Sequence, residues 1–328
     1  MLRFLVKRLF SVIITLIAIS IISFIIIQLP PGDYLNTYIA NLESAGEQVN
    51  RELIEALRIQ YGLDKPLYVQ YYKWITGIIF RGDFGFSFEW KQPVSKLIGE
   101  RLALTLAVSV SSLLFSWIVA FPIGIYSAVK KNSAGDYFFT SLGFLGLSTP
   151  NFMLALVLMY FTVKIFGFSV GGLFSPEYIL APWSRAKFLD LLKHLWIPMV
   201  VVGTSGTAGL IRQMRNNLLD ELGKPYVVAA KSKGLSTTQL LFKYPVRLAI
   251  IPFISTVGWT LPKMISGSAV TSVVLSLPTT GPLLLRALQS QDMYLAGSFT
   301  MLLAFLTVIG TFISDILLML VDPRIKYS

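Results

Sequence analysis

The sequence predicts an all-α integral membrane protein with six membrane-spanning helices and a small folded segment between the first and second. Three observations lead there. Of 328 residues, 54% are hydrophobic and only 14% charged, with a mean hydropathy of +0.67, outside the range of soluble globular enzymes. Several apolar runs reach the roughly 20 residues a helix needs to cross the hydrocarbon core. Backbone groups inside lipid find no water, so such runs must be helical.

The spans run approximately Leu9–Leu29, Leu102–Val129, Phe138–Phe166, Trp196–Ile211, Leu248–Val270 and Ala296–Leu320. The first follows Arg3, Lys7 and Arg8 but is long for a secretory signal. It ends in Gln28-Leu29-Pro30-Pro31-Gly32-Asp33 with no small-x-small cleavage site, so it reads as a retained anchor. The fourth has a short apolar core with Gly203, Gly206 and Gly209, small residues that suit a closely packed interior helix.

Charge placement gives the orientation. With the N-terminus inside, the inner segments hold fourteen basic residues against four acidic ones, whereas the outer segments hold twelve of each. The formal net charge of +11 is therefore a topology signal and calls for no nucleic-acid partner. Both termini are expected in the cytoplasm, and the basic inner surface suits anionic lipid. Disulfides and thiolate metal sites are excluded, because there is no Cys.

Between spans one and two, about 70 residues exceed a simple loop. Glu47–Tyr61 predicts an amphipathic helix with Val49, Leu53, Leu57 and Tyr61 on one face and Gly62 as its stop. The aromatic-rich segment beyond it closes on Gly82-Asp83 and Gly85. It reads as a cap, or as an interfacial segment whose Tyr71, Tyr72 and Trp74 sit among headgroups.

On the inner side, Tyr226–Pro252 is basic, polar and helix-prone between two apolar runs. Ala229 and Ala230 are helix formers without bulk. Gly234 can take φ > 0 and turn the chain between two short helices. That shape suits docking a partner.

Taken in order, Arg8-Leu9, Pro31-Gly32-Asp33, Gly62-Leu63-Asp64-Lys65-Pro66, Gly82-Asp83-Phe84-Gly85, Thr105-Leu106, Ser148-Thr149-Pro150-Asn151-Phe152, the Ala229-Ala230…Gly234 loop and Leu320-Val321-Asp322-Pro323-Arg324 resemble the dipeptide/oligopeptide-type ABC importer permeases over the whole chain. The sequence departs from that pattern at Val228, at Leu277–Pro282, at Gln291–Tyr294 and at Tyr34. Most of these positions are on the outer side, so substrate class is affected more than mechanism.

The resemblance implies the type I ABC importer permease fold in a prokaryotic cytoplasmic membrane. It implies a second, homologous permease as heterodimer partner, two cytoplasmic ATPases carrying ATP and magnesium, and an external binding protein. The expected segments are 1–29 as tail and first span, 30–100 as outer cap, 101–322 as permease core with a coupling loop at 217–247, and 323–328 as tail. Tyr226, Ala229, Ala230, Lys231, Gly234 and Leu235 are the expected ATPase-coupling residues. Lys263, Ser266, Ser268 and Thr271 are candidates for the solute pathway, with Lys263 open between pathway lining and a structural ion pair.

Catalysis is not expected in this chain. No G-x-x-x-x-G-K-[ST] occurs, so a phosphate-cradling loop is missing. His194 is the only histidine and reads as a surface residue near the outer start of span four, with no second metal ligand at helical spacing. Lys164 is expected to snorkel outward. Asp315, inside the last span, reads as half of a structural ion pair. The expected solute is an oligopeptide, with an oligosaccharide as the rival. A stand-alone ion-coupled transporter, the reading from another class, would want repeats and several buried charges.

Overall fold

The computed structural model describes residues 2–28, 65–87, 89–167, 171–290 and 292–321, with isolated positions 52, 55, 56 and 59. The Glu47–Tyr61 helix, Pro31-Gly32-Asp33 and Asp322-Pro323-Arg324 lie outside these residues, apart from Glu52, Glu55, Ala56 and Ile59, which are helical. The chain forms two compact units. One holds the described residues up to Ala103 with Thr279–Ile309, and the other holds Leu104–Pro278 with the segment from Gly310.

In the first unit, α1 (Leu2–Gln28) is a continuous 27-residue helix, about 40 Å long at 1.5 Å per residue. Helix α2 (Leu67–Arg81) packs against its last third. Ser20 Oγ and Tyr71 Oη are 2.8 Å apart, and Phe24 meets Tyr71 edge-on and Trp74 at 5.8 Å. Gly82, in the left-handed region at φ 63°, ends α2 with its N–H on the open carbonyls of the last turn. A two-residue hairpin follows, β1 (Phe86–Ser87) against β2 (Gln92–Pro93). Val94, Leu97 and Ile98 at the start of α3 (Val94–Val129) join Trp74, Leu283 and Leu295 in one core. Leu283 belongs to α11 (Thr280–Gln289) and Leu295 to α12 (Met293–Val321).

The second unit is built around α6 (Arg185–Leu222), which packs against α4 (Ala134–Ser148), α5 (Asn151–Phe166) and α9 (Pro245–Gly267). The expected third span, Phe138–Phe166, is not one straight helix: α4 and α5 are bent by 100° between Ser148 and Asn151. Pro150 supplies the reason, since its ring bars a continuing α-helix and pushes Thr149 to extended backbone, here at ψ 119°. Among the described residues, four helices are long and apolar enough to cross a membrane, or five if the bent α4–α5 pair is counted as one span. The span that ends in α9 begins as early as Thr237, and α10 (Ala269–Val274) follows α9 across Ser268.

Close packing in α6 rests on Gly203 rather than on all three glycines. A Cβ at Gly203 would lie 2.6 Å from the Phe115 ring, whereas Gly206 and Gly209 have open space. Ser116 Oγ donates to the Gly203 carbonyl at 2.8 Å. His194 corrects the surface expectation. It is 4% exposed, with Nδ1 at 2.9 Å from the Asp190 carbonyl. Helix α6 starts nine residues before it, so it falls on the helix face that carries Asp190 and the core residue Leu191. Lys164 ends α5 exposed, over the Tyr160 ring at 5.7 Å.

Candidate functional site

The segment joining α6 to α9 forms the helix–Gly–helix read from the sequence. Pro225 opens α7 (Pro225–Ser232) at its first turn, where a missing N–H is harmless. Gly234 turns the chain at φ +80°. Ser236 then caps α8 (Thr237–Lys243) by accepting from the Gln239 N–H at 3.4 Å. At Tyr244 the chain bends again, and Pro245 starts α9.

Val227, Ala230 and Leu240 close a small core between α7 and α8, with Tyr226, Leu235 and Tyr244 packed on it. The ends of α6 and α9 are clamped together by Met214, Leu218, Val246, Ala249 and Phe253. Asn217 adds a side-chain hydrogen bond to the Ala249 carbonyl at 3.2 Å. The protrusion is thus seated on two mutually packed helix ends and not on a loose tether.

The six expected coupling residues divide. Ala229, Lys231 and Gly234 are exposed. Ala230 is buried, and Tyr226 and Leu235 are half-buried against the α7–α8 core. Tyr226 also donates its hydroxyl to Glu221 Oε2 at 2.7 Å, while Lys224 Nζ holds the other carboxylate oxygen at 2.6 Å. Burial, together with that carboxylate, pushes the Tyr226 phenol above its usual value. Val228, 63% exposed beside Ala229, was not among the expected set, and neither was Glu221. The signal for Glu221 was a carboxylate at the end of a helix, one cap ahead of Lys224 and Tyr226.

The pathway candidates divide as well. Lys263 and Ser266 lie on the exposed face of α9, while Ser268 and Thr271 are buried at 8% and 2% exposure. Lys263 stands over the Trp259 ring at 5.6 Å, and among the described residues no carboxylate pairs with it. Asp315, another charge within a span, is half-buried.

Residues 120–327 match the family described as the binding-protein-dependent transport system inner membrane component. Residues 1–109 match the N-terminal component of such systems. The chain belongs to this permease family. Relatives include the oligopeptide transport system permease protein AppB of Bacillus subtilis, 35% identical over the whole of both chains. The dipeptide transport system permease protein DppB of Escherichia coli K12 and the glutathione transport system permease protein GsiC of Salmonella paratyphi A are each 29% identical, again with full coverage of both chains. A chain of the inward-facing MetNI methionine ABC transporter superposes with a TM-score of 0.52 at 18% identity, covering 69% of this permease and 97% of that chain. At that identity the likeness shows the fold alone, that of type I ABC importer permeases. The permease is accordingly a non-catalytic, multi-pass inner-membrane subunit of an importer that works with ATPase and binding-protein partners.

Proposed function

We propose that this chain forms half of the translocation pathway of an ATP-driven, binding-protein-dependent importer for oligopeptides. The observation that carries the coupling role is the α7–Gly234–α8 protrusion. It presents Val228, Ala229 and Lys231 outward while α6 and α9 are packed together beneath it. In this reading the ATPase grips the exposed face, and Ala230, Leu235 and Tyr226 keep the element rigid. Closure of the ATPases then tilts α6 and α9 as one lever between two arrangements, each favoured by a different ligand state.

The peptide assignment draws its support from relatives named for oligopeptide, dipeptide and glutathione transport. The second permease is a related, non-identical chain, and both termini are cytoplasmic, as the basic inner segments favour. Lys263 and Ser266, exposed on α9, are the residues proposed to face the route. Ser268 and Thr271 support the α9–α10 corner behind them.

Purified receptor from the same system, titrated with peptide and glycan panels, tests the substrate class. Micromolar or tighter peptide binding supports it, and glycan binding alone overturns it. Single-cysteine labelling at Lys231 tests the orientation, because reaction with an impermeant reagent in intact cells would place the protrusion outside.

A further inference from the structure

On one row of α2, Lys73, Gly77 and Arg81 follow each other at four-residue steps and so share a face. Gly77 has no side chain to fill the gap between the two cations. A Cβ there would come within 3.7 Å of Arg81 Nη2 and 3.3 Å of the Asp83 carbonyl. The gap opens into a cavity of about 250 Å³, lined also by Trp74, Asp83 and Tyr294. Trp74 is 6% exposed, and its Nε1 has no hydrogen-bond partner among the described residues. Such an orphan donor carries a desolvation penalty that a ligand oxygen would relieve.

The charge in the cavity favours an anion. Among the described residues Lys73 bonds only the Ile59 carbonyl, at 3.3 Å, and neither Lys73 nor Arg81 has a carboxylate within 4 Å. Asp83, the one acid in the lining, accepts from the Gly85 N–H at Oδ1 at 2.9 Å, and its single charge stands against two cations. The carbonyls at the end of α2 already accept from Gly82 and Asp83, which leaves the Arg81 guanidinium for another acceptor.

The exposed apolar face of α2, which runs from Phe80 beside Lys73 round to Tyr68, identifies the anion's source. Tyr68, Tyr72, Ile79 and Phe80 are between 65% and 81% exposed, and the first three align along the helix. The buried side of α2 packs on Ser20 and Phe24, four to eight residues from the end of α1. That sets α2 alongside the last 6–12 Å of an apolar helix, where acyl chains run up to their headgroups. We propose that the Lys73–Gly77–Arg81 row and the Trp74 indole bind the phosphate of a phospholipid headgroup, whose chains run over Phe80, beside Lys73 on the helix surface, onto the Tyr68–Tyr72–Ile79 stripe. This assignment requires neither the proposed substrate nor the ATPase-docking face.

Native mass spectrometry of the intact transporter complex tests it with phosphatidylglycerol, with dioleoylglycerol (the same chains without phosphate) and with inorganic phosphate. Arg81→Gln or Lys73→Gln should lower retained phosphatidylglycerol about tenfold or more, the loss of one charge-assisted contact. Trp74→Phe, which keeps the ring packing, should lower it about threefold. Dioleoylglycerol retention should not respond, and unchanged thermal unfolding confirms that the variants fold. Equal phosphatidylglycerol retention in the Lys73→Gln, Arg81→Gln double variant overturns the proposal. So does displacement by millimolar inorganic phosphate, which would make this a free-oxyanion site, or a cross-link from position 81 to the external binding protein.

Discussion

Ser87 donates its hydroxyl to the fully buried carboxylate of Asp292 at 2.5 Å, joining positions 205 residues apart. Around this bond, Ser298 Oγ donates to the Phe84 carbonyl at 3.0 Å. Gly85, at φ +97°, lets the Tyr294 ring approach to 2.8 Å from where a Cβ would stand. The glycine-rich outer motif and the segment before the last span are thus one knot. Burial pushes the Asp292 carboxyl above the usual carboxylate value, against hydrogen bonds from Ser87 and the Leu295 N–H. With the folded value raised, its contribution is full below the ordinary value of 3.8 and fades as pH rises through the shifted one. Thermal unfolding should therefore shift upward on mild acidification. Asp292→Asn should flatten that dependence, and Asp292→Ala should cost about 1–3 kcal/mol through stranded donors.

Gly234 sits at φ +80° with nothing within 4 Å of where a Cβ would stand, so only backbone preference opposes substitution. Gly234→Ala should cost about 1–2 kcal/mol and distort the α7–α8 angle without clashing. The expected result is intact assembly with less solute taken up per ATP hydrolysed. An unchanged ratio in proteoliposomes would remove this turn from the coupling role.

Helices α9 and α12 meet backbone to backbone where Gly258 faces Gly310 and Thr311. A Cβ on Gly258 would collide with the Thr311 nitrogen, and rigid backbone cannot yield as a flexible side chain does. Gly258→Ala should destabilise by about 1–3 kcal/mol or more, read as lost folded yield and a lower Tm. Ser314→Ala, which removes the side-chain hydrogen bond to the Gly258 N–H at 2.9 Å, should cost about 1 kcal/mol.

Arg215 holds the buried Asp136 carboxylate at both oxygens, Nε to Oδ1 at 3.1 Å and Nη2 to Oδ2 at 2.9 Å. The pair fastens the start of α4 to α6. Arg215→Gln leaves a carboxylate that is 3% exposed without its counter-charge, a loss of about 3–5 kcal/mol for buried pairs of this kind. Adding Asp136→Asn should recover part of it. A double variant as unstable as the single one would mean that the pair acts by shape and not by charge.

Hydropathy and turn chemistry made the helical membrane class, the span positions and the helix–Gly234–helix legible, because these depend on local sequence. The lipid core forces helices on apolar runs, and only glycine turns the chain at φ +80° without strain. Tertiary structure alone decided what those helices do to one another. It made Ala230 and Leu235 packing residues and left Ala229 and Lys231 outside, although all four are helix-compatible neighbours in sequence. Likewise it buried His194, broke span three at Pro150, and brought Ser87 to Asp292. Which face of a helix is covered depends on partners distant along the chain, and a periodicity that both faces of a membrane helix share cannot reveal them.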